Sequence, residues 1–416
     1  MRVFLLAFLC EAFISFILKG SVTEETRELL ILIYMLVNSF ILIGWFRIKS
    51  KDKTMFIILT LGFLIRMAAL FYDRNIAWLP FNTADAQKFQ RFAVETANAL
   101  PDVMISHYTG IYSQVLGVIY YVFGTPQYWG HYLNIVFVML AGTKLIDISD
   151  LLKISLKNQN RLIALWLFMP IPFLMGYALL REATIYYFIT LSIYFFLKWF
   201  DNLNGFNLLL SILSVLIAAS YHEGVAIILL PYIYTYMFLN RKTKKIEFSF
   251  VNVITLLIMI VVAYVIIDKN GDEIYGRVTA DTGGGSAYLT SVEVRKPIEL
   301  ILFGPIKQIY LLFSPMPWLI RGVMDIATLL FDSSLYMYMA YLALKNFKHI
   351  ETNIKTILLS FIIGTFIFGL GSLNTGTAIR HKNKFQSMMI IVMVYVIDKK
   401  EKKEENNKLL NTYKIS

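Results

Sequence analysis

The chain has 416 residues, of which 57% are hydrophobic, 15% aromatic and only 16% charged, with a mean hydropathy of +0.62. A soluble domain carries about 25% charged residues, so a water-exposed globule is excluded as its main form. The net charge of +11 collects in short loops and in the tail, where positive-inside bias and anionic lipid account for it without any nucleic-acid partner. The single cysteine, Cys10, excludes an internal disulfide.

Apolar runs of about 17–25 residues, the length that crosses a hydrocarbon core as a helix, recur from end to end. They predict an all-α, polytopic integral membrane domain over residues 1–398 and a basic cytoplasmic tail at 399–416. Residues 3–18 form a short first span that holds Glu11; with no small-residue cleavage site after it, the span is read as retained. Residues 29–46 lead into the basic loop RIKSKDK, which belongs in the cytoplasm, and 54–72 then crosses outward. A polar extracytoplasmic segment follows at 73–107. Within it ADAQKFQRFAVETANAL (84–100) puts Phe89, Phe92, Ala93 and Ala97 near one face, the pattern of an amphipathic helix in the interface.

Residues 108–146 are read as one net crossing with a re-entrant or interfacial part. That choice keeps Lys153, Lys157, Arg161, Lys198, Arg241, Lys242, Lys244 and Lys245 inside. Spans follow at 162–179, 183–200, 206–220, 225–239 and 250–267. Residues 268–321 form a second extracytoplasmic segment, flexible at DTGGGS because glycine restricts so few backbone angles. Within it 298–317 is read as a broken or re-entrant helix, interrupted by Pro305 and closed by Pro-Met-Pro. Spans at 323–344, 357–373 and 385–397 bring the total to about twelve crossings, with both termini inside.

Four polar groups fall on the outer side in this topology: Asp85 with Asp73 and Arg74; Arg181–Glu182; His222–Glu223; and Arg380–His381–Lys382, with Arg321 near them in sequence. Arginine offers planar, bidentate donors to phosphate oxygens and stays charged. A sugar leaving a diphosphate develops negative charge that fixed cations stabilise, and an acceptor hydroxyl needs a base, which Asp85, His222 or Glu223 can be. Each residue also has a plainer reading. Arg181 can be an anchor that snorkels to headgroups, Glu182 a partner of the following helix dipole, and Asp85 a helix cap. His222 can be an interfacial histidine, Arg321 a span flank, Arg380 and His381 ordinary loop charges, and Glu11 a contact to another helix. There is no Walker-type loop, metal-spaced Cys/His set or GxSxG motif, and GGGS at 283–286 is no phosphate cradle.

LLREATIYYFITLSIYFFLKW followed by IAASYHEGVAIILLP resembles the middle of bacterial Wzy-type and EpsG-type polysaccharide polymerases. The resemblance lands on Arg181 and His222, and LNTGTAIRHKNKF resembles the last basic loop of those enzymes and lands on Arg380. NTADAQKFQRFA and the helix after it look like the first outer loop and second helix of GT-C membrane glycosyltransferases, in which an acidic residue of that loop is the catalytic base; here it would be Asp85. The usual HPP motif is absent, since His107 is followed by Tyr108 and Thr109. The resemblance covers about residues 70–400, through short motifs.

It implies a GT-C-like polymerase of surface polysaccharide in the bacterial inner membrane. Its substrate would be a polyprenyl-diphosphate-linked oligosaccharide, with Arg181, Arg321, Arg380, His381 and Lys382 on the diphosphates and Asp85, His222 or Glu223 as base. A chain-length regulator and a flippase would be its protein partners. No cofactor or tightly bound metal is required; a divalent ion on the diphosphate is compatible with these residues. Two rivals stand beside this reading. A GT-C transferase would add one sugar from a polyprenyl phosphate. A flippase for lipid-linked glycans would spread charge through the membrane's depth and show repeats, whereas here the charges collect at one rim.

Overall fold

The computed structural model describes residues 2–82, 84–101, 110–125, 128–247, 250–251, 253–254, 286–289, 292 and 297–415. Residues 255–285, which hold most of the span expected at 250–267 and the glycine run, lie outside the described residues, as does His107. Among the described residues the fold is helical apart from a two-stranded ribbon, Leu239–Asn240 with Lys245–Ile246, and an isolated bridge between Ala287 and Asn374. Six of these helices are long and apolar enough to cross a membrane, seven if one bent pair counts as a span. The protein is a multi-pass membrane protein.

The chain divides into two compact units. The first comprises residues 1–147, 163–168 and 172–188. It contains α1 (Arg2–Ile17), α2 (Glu24–Lys49), α3 (Lys53–Asn75), α4 (Ala84–Ala99), α5 (Gly110–Phe123) and most of α6 (Trp129–Leu151). Thr23 and Asp52 cap α2 and α3 by accepting from the backbone N–H of Thr26 and Met55, at 3.3 and 2.7 Å. Glu24 and Glu25 open α2 while Arg47 and Lys49 close it, matching charge to the helix dipole at both ends. At 1.5 Å per residue α3 is about 35 Å long, enough to cross a hydrocarbon core. Only 33% of its apolar window is buried inside the protein, against 78% for α6. Leu61, Leu64 and Ile65 of α3 and Leu36, Val37 and Phe40 of α2 are therefore exposed, an arrangement that lipid tolerates and water does not. The amphipathic helix expected at 84–100 is α4. It packs along α5 so closely that a Cβ on Gly117 would come within 2.5 Å of Thr96.

The apolar stretch expected as one span at 162–179 is two helices, α7 (Leu156–Phe168) and α8 (Pro170–Tyr177), bent by 59°. Pro170 and Pro172 remove the N–H groups that would have carried the hydrogen-bond ladder across the junction. α9 (Glu182–Asn202) follows.

The second unit comprises residues 148–162, 169–171 and 189–416. α10 (Gly205–Tyr221) ends at His222, and the next apolar stretch begins as a 3-10 turn (Glu223–Ile228) before α11 (Leu229–Phe238). α12 (Pro297–Phe313) runs straight through Pro305, where the sequence suggests an interruption. Packing carries it past the missing donor: Gln308 donates at 2.8 Å to both Ile362 O and Thr365 Oγ1 of α15 (Thr352–Leu370). Between them, α13 (Val323–Ala327), a π-helical turn (Thr328–Ser333) and α14 (Ser334–Asn346) form a single apolar path. Arg380, His381 and Lys382 stand on a capped helix, α16 (Thr375–Asn383), where a loop was expected; Asn374 accepts from Thr377 N at 2.8 Å. The last apolar run and the basic tail are one helix, α17 (Gln386–Ile415).

Asp398, where the apolar part of α17 ends, fastens the start of α7. It accepts from Ser155 N at 2.9 Å, Ser155 Oγ at 2.5 Å, Asn158 Nδ2 at 3.0 Å and Lys402 Nζ at 2.8 Å. Burial alone would raise this carboxyl, and the Asn158, Lys402 and Ser155 donors overcome it and hold it at about 2. Asp398→Ala should cost about 2–3 kcal/mol, the scale of hydrogen bonds to a charged group. The stabilising effect of the native residue is complete above the ordinary carboxylate value of 3.8 and lost as pH falls toward 2. Thermal unfolding in detergent should therefore fall more steeply with acid for the native chain than for Asp398→Asn.

Candidate functional site

In the first unit Arg181 stands one residue before α9. It is half-buried, and its guanidinium carbon lies 6.0 Å from the centre of the Phe89 ring on α4, within the range of a cation–π contact. Phe89 in turn meets Tyr112 edge-on at 5.1 Å. Asp85 is exposed and stands one turn before Phe89, on the same side of α4. Arg181 is thus brought to the helix that carries Asp85. Glu182 is fully buried in the first turn of α9.

The backbone before Arg181 leaves α8 at Tyr177 and is not helical until Glu182, so its carbonyls need other donors. Asn134 of α6 supplies both of its amide hydrogens, to Ala178 O at 2.7 Å and Leu180 O at 2.8 Å, and accepts from Tyr112 Oη at 3.3 Å. His131, one turn earlier, bonds Tyr177 O at 2.9 Å, and Tyr177 Oη donates to Pro80 O at 3.3 Å. His131 and Asn134 are not among the residues that stand out as charges at the rims of apolar runs; their signal is two polar residues, both buried here, spaced i, i+3 in an apolar run. Asp73 is an organiser of the loop after α3. It accepts from Leu79 N at 2.7 Å, Arg74 Nε at 3.0 Å and Asn82 Nδ2. Arg74 lies 5.4 Å over Trp78. Glu11 of α1 faces α2, where Asn38 Nδ2 donates to it at 2.7 Å.

In the second unit Phe368 of α15 collects the histidines. His222, capping α10, and His381 of α16 each lie 4.8 Å from its ring, and the two imidazoles meet edge-on at 5.3 Å. Gly224 allows the approach, since a Cβ there would reach Phe368 at 3.1 Å. Ser372 Oγ sits 3.0 Å from His381 Nδ1 and Lys384 Nζ 5.5 Å over the Phe368 ring. Glu223 is exposed beside His222, and Arg380 is half-buried beside His381.

Lys382 takes the opposite direction. It is completely buried and donates to Ser314 O at 2.7 Å, Ser333 Oγ at 3.0 Å and Leu312 O at 3.3 Å. Burial pushes its ammonium down to about 8, against the pull of Asp332. Arg321 is exposed and held in its own turn by Asp325, its Nε 3.8 Å from the carboxylate and its backbone N–H donating at 3.0 Å. Arg380, His381 and Lys382, adjacent in sequence, thus have three different surroundings, and Arg321 stands in its own ion pair.

The start of α16 is also tied down. Thr375 N donates to Ser286 O at 3.0 Å and Tyr288 N to Leu373 O at 2.9 Å. Among the described residues no three His, Cys, Asp or Glu side chains group as metal ligands. A pocket of about 170 Å³ opens elsewhere in the first unit, lined by Lys19, Glu24, Arg27, Glu28 and Tyr121. No family model matches this chain, and neither does any curated protein or solved structure.

Asn134→Ala should leave two buried carbonyls without donors and cost about 2–4 kcal/mol. Hydrogen–deuterium exchange of the peptide spanning 177–185 should rise in that variant while α2 and α3 exchange as before.

Proposed function

We propose that this protein is a glycosyltransferase that polymerises polyprenyl-diphosphate-linked oligosaccharide repeat units into surface polysaccharide, on the extracytoplasmic side of a bacterial inner membrane. The observation that carries the reading is the cluster around Phe368. Residues far apart in sequence, His222 and His381, meet there with Lys384 above the ring. Two imidazoles beside fixed cations suit proton removal next to an anionic leaving group. Within the first unit Arg181, at the start of α9 and over Phe89 of the helix bearing Asp85, offers a guanidinium of the kind that binds phosphate. The framework would be GT-C-like with about twelve crossings.

In the proposed reaction a hydroxyl at the non-reducing end of a lipid-linked repeat unit attacks the anomeric carbon of the growing glycan. The carbon–oxygen bond to the polyprenyl diphosphate breaks as the new glycosidic bond forms. In the second unit His222 takes the hydroxyl proton and Arg380 holds the charge of the departing diphosphate; in the first unit Asp85 and Arg181 offer the same two roles. Ser372 orients His381, Glu223 is a second candidate base beside His222, and Lys382 anchors α16 from beneath. Arg321 is the outlying cation of the set.

Membranes bearing the protein and a lipid-linked repeat unit should yield a ladder of polymer. Arg181→Ala should abolish it while the variant stays folded in the membrane, and His222→Ala should slow it about 10²–10⁴-fold, the range of a lost general base. A product enlarged by one sugar only would transfer the chain to the single-addition class, and normal ladders from Arg181→Ala would end the proposal. Single cysteines replacing Arg181, His222 and Arg380 in a Cys10→Ser background should all react with an impermeant reagent from outside the cell. Protection of all three, with the 240–247 loop reactive, would reverse the topology.

A further inference from the structure

Arg66 stands on α3, a helix long and apolar enough to cross the membrane, and is completely buried. One of its terminal nitrogens, Nη1, donates at 3.0 Å to Gly62 O, one turn back on its own helix. Its other two nitrogens, Nε and Nη2, have no hydrogen-bond partner among the described residues. Those two share one edge of the guanidinium plane, the edge whose parallel N–H groups grip two oxygens of a single anion. A cation withdrawn from water without a counter-charge is costly, and inside membranes such a residue marks a binding function.

The surroundings point the same way. Gly62 is pressed against Leu167, just before the bend between α7 and α8, where a Cβ would come within 2.8 Å. One turn later Arg66 lies 4.8 Å over Phe173, just after the bend, and its Nε lies beside Gly176, where a Cβ would sit 3.5 Å from Nε and 3.0 Å from Val138 Cγ2. The guanidinium is therefore stacked at a break in a helix, a place where membrane proteins locate ion and substrate groups. Among the described residues no carboxylate forms an ion pair with it. Asp73, two turns on along α3, is occupied by Leu79, Asn82 and Arg74; Asp147 is occupied by Lys49 and Lys144; and Glu11 is bonded by Asn38.

We infer that the free edge of Arg66, roofed by Phe173 and flanked by Gly176, is a binding site for a phosphate group. The source is either the head of a phosphorylated lipid or free phosphate, which present the same paired oxygens. The inference does not rest on the polymerase reading, since such a site would serve a transferase or a transporter equally.

The test is native mass spectrometry of the full chain in a phosphate-free maltoside detergent, titrated separately with farnesyl phosphate and with inorganic phosphate. Binding of either should weaken on the order of 10–100-fold in Arg66→Met, the scale of lost charge-assisted hydrogen bonds. Farnesyl phosphate binding alone would identify a lipid source, and binding of both a phosphate site open to either. Without added anion Arg66→Met should melt at or above the native temperature, because an uncompensated buried charge has been removed. Gly176→Ala keeps the arginine and sets a methyl 3.5 Å from Nε, against Val138, so it should weaken binding likewise, and it decides the matter if Arg66→Met does not fold. Absence of binding by the native chain, or undiminished binding in either folded variant, would overturn the inference. Lost phosphate binding with polymer ladders intact would separate this site from the proposed chemistry.

Discussion

A membrane's interior offers no hydrogen bonds, so wherever a helix stops in or near it the released backbone groups must be met by another part of the chain. Much of this structure answers that demand. Asn134 and His131 receive the carbonyls between α8 and α9, Lys382 those that follow α12, and Asp398 the first N–H of the turn into α7. Asp73 does the same for the loop after α3. These are buried polar side chains with satisfied bonds, and each is expensive to disturb because its partner would be left unmet.

The candidate site residues are placed by these fastenings. Arg181 follows directly on the carbonyls that Asn134 holds, so its position over Phe89 depends on a buried residue of α6. His381 adjoins Lys382 on α16, and consecutive residues on a helix point about 100° apart. With Lys382 anchored inward on Ser314 and Ser333, His381 is turned toward Phe368 and Ser372. A side chain that looked like one more cation for phosphate is thereby engaged with carbonyl oxygens, and the neighbouring histidine is the one set beside His222.

How much of this was legible beforehand depended on the kind of signal. The amphipathic spacing of Phe89, Ala93 and Ala97 located α4 almost to the residue, because a face that must be half-buried imposes its period on the sequence. Prolines misled in both directions. Pro170 and Pro172 broke a span read as continuous, whereas Pro305 sits in an unbroken helix braced by Gln308. A missing donor states only that a hydrogen bond is lost; whether the helix yields depends on what packs against it. Asp85, Arg181, His222 and Arg380 were visible as charges at the rims of apolar runs. Arg66 was not, since a lone arginine within a hydrophobic stretch does not announce which of its donors will be met.

The sequence by itself determined that this chain is a bundle of membrane helices, where most of them lie, and which few polar residues stand out against them. Hydropathy and length are properties of a segment taken alone, and the bilayer imposes them uniformly. Only the tertiary structure decided that His222 and His381 share one phenylalanine, that Lys382 turns inward, that Asn134 holds the backbone before Arg181, and that one edge of Arg66 has no hydrogen-bond partner among the described residues. Those outcomes depend on residues far apart in the chain arriving at the same place, and no local pattern encodes that meeting.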